Sequence, residues 1–166
     1  MATITLKGNA TETLGQLPAI GTTAPDFELV KTDLSKVTLK DFGGSRLVLN
    51  IFPCVDTAPC SASIRRFNQE AAKLENTKVL CISRDLPFTL ARFCGAEGIT
   101  NVVSLSDFAT HQFGKDYQVE MTSGPMAHFL SRAVIILDEN QKVIYTQQVP
   151  EILEEPNYEA ALAVLR

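Results

Sequence analysis

The 166-residue chain has no C-x-x-C pair, no internal repeat, no low-complexity tract and no linker rich in glycine, serine or proline. The missing C-x-x-C removes the usual signature both of zinc sites and of dithiol–disulfide oxidoreductases. Its two histidines, His111 and His128, are too few and too separate to suggest a metal centre. Gly43-Gly44 and Gly124-Pro125 read as loops rather than phosphate cradles, so neither a metal nor a cofactor is expected. No apolar stretch approaches the ~20 residues that a membrane span needs. Met1 to Gly8 shows no basic segment leading into an apolar run, so no signal peptide is expected and the cytoplasm is the expected compartment. Charge of one sign is also scarce: the formal net charge is -4, and Arg65-Arg66 is the sole adjacent basic pair. Nucleic acid and membrane surfaces are therefore not expected partners.

What is present is the composition of a globular domain, 45% hydrophobic and 20% charged, with a length that suits one domain over residues 1–166. Ile4 to Leu6, Gly8-Asn9 and the short run after them predict an N-terminal β-hairpin. Pro25 to Val30 alternates as a half-buried strand does, and Val37 to Phe42 reads as a short extended or turn segment. Leu47 to Phe52 is almost continuously apolar and bounded by Pro53, the pattern of a central strand buried on both faces. Cys60 to Leu74 carries Ile64, Phe67, Ala71 and Leu74 on one helical face. Val79 to Ser83 and Val102 to Leu105 predict further strands. Pro87 to Ala96 predicts a helix ending near Gly95 or Gly98, and Phe108 to Tyr117 another helix. Ala133 to Leu137 and Lys142 to Tyr145 flank a polar turn as a hairpin, and Tyr158 to Leu165 closes the chain as a helix. Strands alternating with helices imply an α/β sandwich with a mixed central sheet flanked by helices, in a thioredoxin-like order.

A domain of this size needs no disulfide staples, so its four cysteines, Cys54, Cys60, Cys81 and Cys94, are read one by one. The informative segment is Phe52-Pro53-Cys54-Val55-Asp56-Thr57-Ala58-Pro59-Cys60, which joins the buried strand to the first long helix. Ligands of open α/β sheets bind beyond the carboxyl ends of strands, so chemistry is expected at this turn. Thr57 is placed to cap the helix and Pro59 is tolerated in its first turn. Cys60 then lies at the positive end of the helix dipole among unsatisfied N–H groups, a setting that favours a thiolate. Thr57, three residues earlier, faces the same way, and its hydroxyl can donate to the sulfur or hold a substrate oxygen. Pro53 walls the site from bulk water. An inert packed Cys60 is the bland alternative.

Pro53-x-x-x-Thr57-x-x-Cys60 resembles the active-site pattern of the peroxiredoxins. Asp56 beside it, Leu49-Asn-Ile-Phe-Pro53, Val79-Leu-Cys-Ile-Ser83, Arg92-Phe-Cys-Gly-Ala-Glu-Gly98 and Glu155-Pro-Asn-Tyr-Glu-Ala-Ala-Leu162 together resemble the thiol peroxidase group of bacterial peroxiredoxins. The resemblance spans nearly the whole chain. It implies a thioredoxin-like fold, a peroxidatic cysteine at Cys60, a resolving cysteine at Cys94 joined to it in one chain, and an activating arginine at Arg132. It also implies hydroperoxide substrates, thioredoxin as reductant and a homodimer. Cys54 occupies a variable position of the motif and receives no role.

From the residues alone, Cys81 reads as an inert core thiol and Cys94 as either a helix core residue or a reactive one. Arg132, taken without the resemblance, reads as a solvated charge flanking a strand, and neither it nor Thr57 is expected in the core. Apolar Met121, Met126 and Phe129, on the loop-like stretch from Tyr117 to Phe129, either form a subunit contact or pack inward. A redox switch protein without rapid turnover shares the low-pKa thiol and is the alternative function.

Overall fold

In the computed structural model, which describes residues 1–166, the chain opens with a two-stranded antiparallel hairpin, β1 (Thr3–Leu6) and β2 (Asn9–Glu12). Lys7 and Gly8 turn it with positive φ at both central positions, the geometry a tight hairpin requires. β3 (Glu28–Lys31), β4 (Lys36–Thr38), β5 (Arg46–Ile51), α1 (Ala58–Ala71), β6 (Thr77–Ser83), α2 (Pro87–Glu97), β7 (Val102–Ser106), α3 (Gln112–Asp116), β8 (Ala133–Leu137), β9 (Val143–Gln148) and α4 (Tyr158–Ala163) follow. Seven strands form one mixed sheet in the order β4-β3-β7-β6-β5-β8-β9. β5, β6 and β7 run parallel, whereas β8 lies antiparallel to β5. This is the thioredoxin-like architecture expected from the sequence.

Alternation along β5 divides the interior. Leu47, Leu49 and Ile51 join Leu80, Ile82, Phe113 and Tyr117 in one core, while Val48 and Phe52 face a second core under α1, α2 and α4. A strand buried on both faces needs apolar residues at nearly every position, which explains the continuous run. On α1 the buried residues are Cys60, Ser63, Ile64 and Phe67, at spacings of three and four. Cys60 heads that stripe, so the helix period alone turns its sulfur toward the sheet.

Several boundaries differ from the sequence expectation. α1 begins at Ala58 and ends at Ala71 rather than running from Cys60 to Leu74, and β3 starts at Glu28 rather than Pro25. The helix expected over 108–117 is confined to Gln112–Asp116. The buried Asp107 carboxylate accepts from the backbone N–H groups of Phe113 and Gly114, both at 3.1 Å, and His111 takes a left-handed φ of 59° that starts the helix late. Tyr117 and Met121 pack fully inward and Met126 leans on Ile4, Met121 and Ile152, which leaves Phe129 as the exposed apolar side chain of that stretch.

Candidate active site

The antiparallel register of β5 and β8 pairs Ile51 with Ala133. The carboxyl end of β5, where the chain turns toward α1, therefore meets the beginning of β8, and Arg132 lands beside Cys60. Its Nη1 donates to Cys60 Sγ at 3.2 Å and its Nε donates to the Ile152 carbonyl at 2.8 Å. The expectation of a solvated, non-core arginine is corrected here: Arg132 is 1% exposed and heads the fully buried side chains by size. No carboxylate lies within ion-pair distance of its guanidinium. A buried, permanently charged group without an anion is costly, and the one group in contact that can supply a negative charge is the Cys60 sulfur.

Thr57 occupies the N-cap position of α1, but its hydroxyl makes no cap bond. It lies 2.7 Å from Cys60 Sγ and 3.0 Å from the Cys54 carbonyl. A hydroxyl has one proton, so the two contacts define two states. With a thiol, Cys60 donates to Thr57 and Thr57 donates to the carbonyl; with a thiolate, Thr57 turns its proton to the sulfur. The Thr57 hydroxyl thus serves the sulfur rather than the helix end. Pro59 sits in the first turn as expected, and Pro53 is buried beside Phe52 and Val55.

Side chains outside the sequence motif hold this turn. Asp85, just past β6, accepts from the Val55 N–H at 2.9 Å and from the Ser83 hydroxyl at 2.6 Å. Ser63 donates to the Cys60 carbonyl at 2.8 Å and accepts from Asn50 Nδ2 at 3.2 Å, while Asn50 Oδ1 is buried without a partner. Sequence reasoning missed Asp85 and Asn50. The available signals were a lone polar residue inside the apolar run of β5 and an acid following a parallel neighbour strand.

The other cysteines differ in setting. All four are free thiols. Cys81 is wholly buried, and burial pushes its thiol up to about 12. Cys54 is half-buried; burial, opposed by a backbone hydrogen bond from Asp56 and reinforced by the Asp85 carboxylate, pushes it up to about 11. Cys94 is half-buried in the last part of α2, with Sγ 3.3 Å from Ser104 Oγ on β7. Its carbonyl accepts the N–H groups of Gly98 and Ile99, so the helix terminates on it, with Gly98 left-handed at φ 65°. Cys94 and Cys60 stand on neighbouring helices over the same face of the sheet, Cys94 near the end of α2 above β7 and Cys60 in the first turn of α1, and both border the same apolar core.

The Redoxin family model matches residues 19–162. A thiol peroxidase of Corynebacterium glutamicum is 54% identical over 165 residues, 99% of either chain. The structure superposes on that of a peroxiredoxin-like protein from Aquifex aeolicus with a TM-score of 0.92 at 36% identity, covering 98% of this chain and 95% of that one. A thiol peroxidase from Chromobacterium violaceum shares the fold with a TM-score of 0.88 at 23% identity, over 98% of this chain and 94% of its own.

Proposed function

The chain belongs to the Redoxin family, as a peroxiredoxin of the thiol peroxidase group, and we propose that it reduces hydroperoxides at Cys60 and closes a Cys60–Cys94 disulfide within one chain. The observation that carries the reading is the buried Arg132 guanidinium, 3.2 Å from Cys60 Sγ and without a carboxylate. It favours the thiolate, which is the attacking form. The thiolate attacks the terminal peroxide oxygen and the O–O bond breaks. The leaving oxygen takes a proton and departs as water or an alcohol, and Cys60 becomes a sulfenic acid. Thr57 and Arg132 hold the oxygens as charge moves between them. Pro53 and its buried neighbours keep bulk water away from the sulfur.

Cys94 then attacks the sulfenic sulfur, expelling water and forming the disulfide. Each cysteine sits on its own helix and both are free thiols, so the first turn of α1, the end of α2, or both unwind to bring the two sulfurs together. The positive-φ Gly98 and the half-exposed setting of Cys94 make the end of α2 the cheaper place to open. A thioredoxin dithiol returns the pair to the reduced state. A homodimer in the cytoplasm completes the reading.

Peroxide consumption coupled to thioredoxin, its reductase and NADPH tests the whole cycle, and Cys60→Ser is expected to abolish it. Activity of that variant above a few per cent of wild type would overturn the assignment. Cys94→Ser is expected to consume one equivalent of peroxide and then stall with Cys60 as sulfenic or sulfinic acid, whereas Cys54→Ser and Cys81→Ser turn over. Peptide mapping of the oxidised protein that joined Cys60 to Cys54, to Cys81 or to a second chain would reject the intrachain disulfide.

A further inference from the structure

The N-terminal hairpin is not part of the seven-stranded sheet, and it lies outside the residues that the Redoxin family model matches. Its contacts nevertheless converge on the segment that holds the active-site arginine. Thr5 pairs with Glu151 in a parallel bridge: the Thr5 N–H donates to the Pro150 carbonyl at 2.8 Å and the Ile152 N–H donates to the Thr5 carbonyl at 2.9 Å. The Glu151 carboxylate accepts from the Thr5 hydroxyl, from the Lys7 N–H at 2.7 Å and from the Gly8 N–H at 3.3 Å. Successive N–H groups of a tight turn form a nest for an anion, and here the anion belongs to the protein's own chain. Ile4 and Ile152 are both buried and form, with Met121, a small core separate from the two main ones.

The far side of the same segment supplies the Ile152 carbonyl that receives Arg132 Nε at 2.8 Å. That bond and the one from Nη1 to Cys60 fix a planar fork at two points. The Ile152 carbonyl has no regular strand or helix behind it, since β9 ends at Gln148 and α4 begins at Tyr158. Its peptide is held by the hairpin, through the Ile152 N–H bond to the Thr5 carbonyl, and by a local turn in which the Glu154 N–H donates to the Glu151 carbonyl at 2.9 Å.

We infer that Thr5 and Glu151 are positioning residues of the peroxidase reaction: by gripping the hairpin turn, they fix the Ile152 carbonyl that aims Arg132 at Cys60. The inference rests on the reading that Arg132 activates Cys60. The hairpin is then a brace for the active site rather than a decoration of the fold. Small displacements of a catalytic group are known to cost heavily, so loss of the grip should be visible in rate before it is visible in folding.

The test uses the full chain and four variants: the double variant Thr5→Val/Glu151→Ala, the single Glu151→Gln, Arg132→Lys, and Ser123→Ala. Ser123 Oγ accepts from the Glu12 N–H at 3.0 Å, so its loss loosens the hairpin away from Glu151. Two quantities are measured: the rate of the first oxidation step under single-turnover conditions, and the pH profile of Cys60 alkylation by iodoacetamide. The double variant is expected to slow oxidation by roughly tenfold to a hundredfold and to move the alkylation profile to higher pH. Glu151→Gln, which retains one acceptor oxygen, should fall between it and wild type and serves if the double variant does not fold. Ser123→Ala should leave both unchanged. If Arg132→Lys shifts the profile while both Glu151 variants match wild type, the positioning role is overturned. If Arg132→Lys itself shifts nothing, the underlying reading of Arg132 fails and takes this inference with it. Equal effects from Ser123→Ala and the double variant would reduce the hairpin to a general stabiliser and reject the specific role of Thr5 and Glu151.

Discussion

Cys60 and Cys81 are equally hidden, both at 0% exposure and both in the core beneath α1 and α2, yet the molecule treats them in opposite ways. Cys81 projects from the middle of β6, where its polar neighbour is Asn50 Nδ2 at 3.7 Å, and burial pushes its thiol up to about 12. Cys60 projects from a helix N-terminus and touches a guanidinium at 3.2 Å and a hydroxyl at 2.7 Å. Burial therefore does not decide whether a cysteine is inert. A low dielectric penalises an unpaired thiolate and strengthens a paired one, so the same interior serves either purpose according to which donors face the sulfur.

The sharpest way to break the contrast is to remove the cation. Arg132→Ala should make Cys60 resemble Cys81, with the first oxidation step slowed on the order of tenfold to a thousandfold, as for other preorganised donors. Stability should fall too, because the largest fully buried side chain is lost and the Ile152 carbonyl loses its donor. Stopped-flow oxidation and a chemical melt measure the two effects, and a wild-type oxidation rate would end the argument. Thr57→Val is the gentler version. It keeps the shape, removes the switchable proton and should slow the same step by roughly tenfold, with a melt close to wild type because the hydroxyl caps no helix N–H.

The contrast was only half legible in the sequence. The run from Leu47 to Phe52 and the spacing of Cys60, Ile64 and Phe67 are local patterns, and they placed the sulfur at a strand–helix junction without any tertiary information. Arg132 is different. An arginine before an apolar run reads as a solvated flank, and its burial depends on the pairing of Ile51 with Ala133 and on a carbonyl twenty residues away in the chain. Thr57 lies where the sequence places it and its hydroxyl meets the Cys60 sulfur as expected, whereas the cap bond does not form, because an N-cap hydroxyl with a sulfur in reach has two acceptable partners. The shortened α3 likewise reflects Asp107, held by Arg84 at 3.1 Å, capturing the N–H groups of Phe113 and Gly114. For Arg132 and for α3 the residue type was visible and the long-range partner was not.

The smallest effect tests the other half of the comparison, that Cys81 is kept neutral by burial alone. A thiol whose folded value stands near 12 against an ordinary 9.0 binds more protons folded than unfolded anywhere between those values. Its contribution to stability is complete below pH 9.0 and is lost as pH climbs toward about 12, because the unfolded chain gains a thiolate that the folded one resists. Cys81→Ala deletes that linkage. At neutral pH the variant should cost about 1 kcal/mol for the small void and leave turnover unchanged, since Cys81 touches no reacting atom. Above pH 9.0 the wild type should lose ground against the variant by up to ~1.4 kcal/mol per pH unit. Cys54 and Tyr117 are also raised by burial and add their own alkaline slope, so the informative quantity is the difference between the two proteins. Urea melts of both across the alkaline range supply it. Parallel curves would mean that the Cys81 thiolate is tolerated in the core, and the distinction from Cys60 would then have to rest on access to the peroxide rather than on charge.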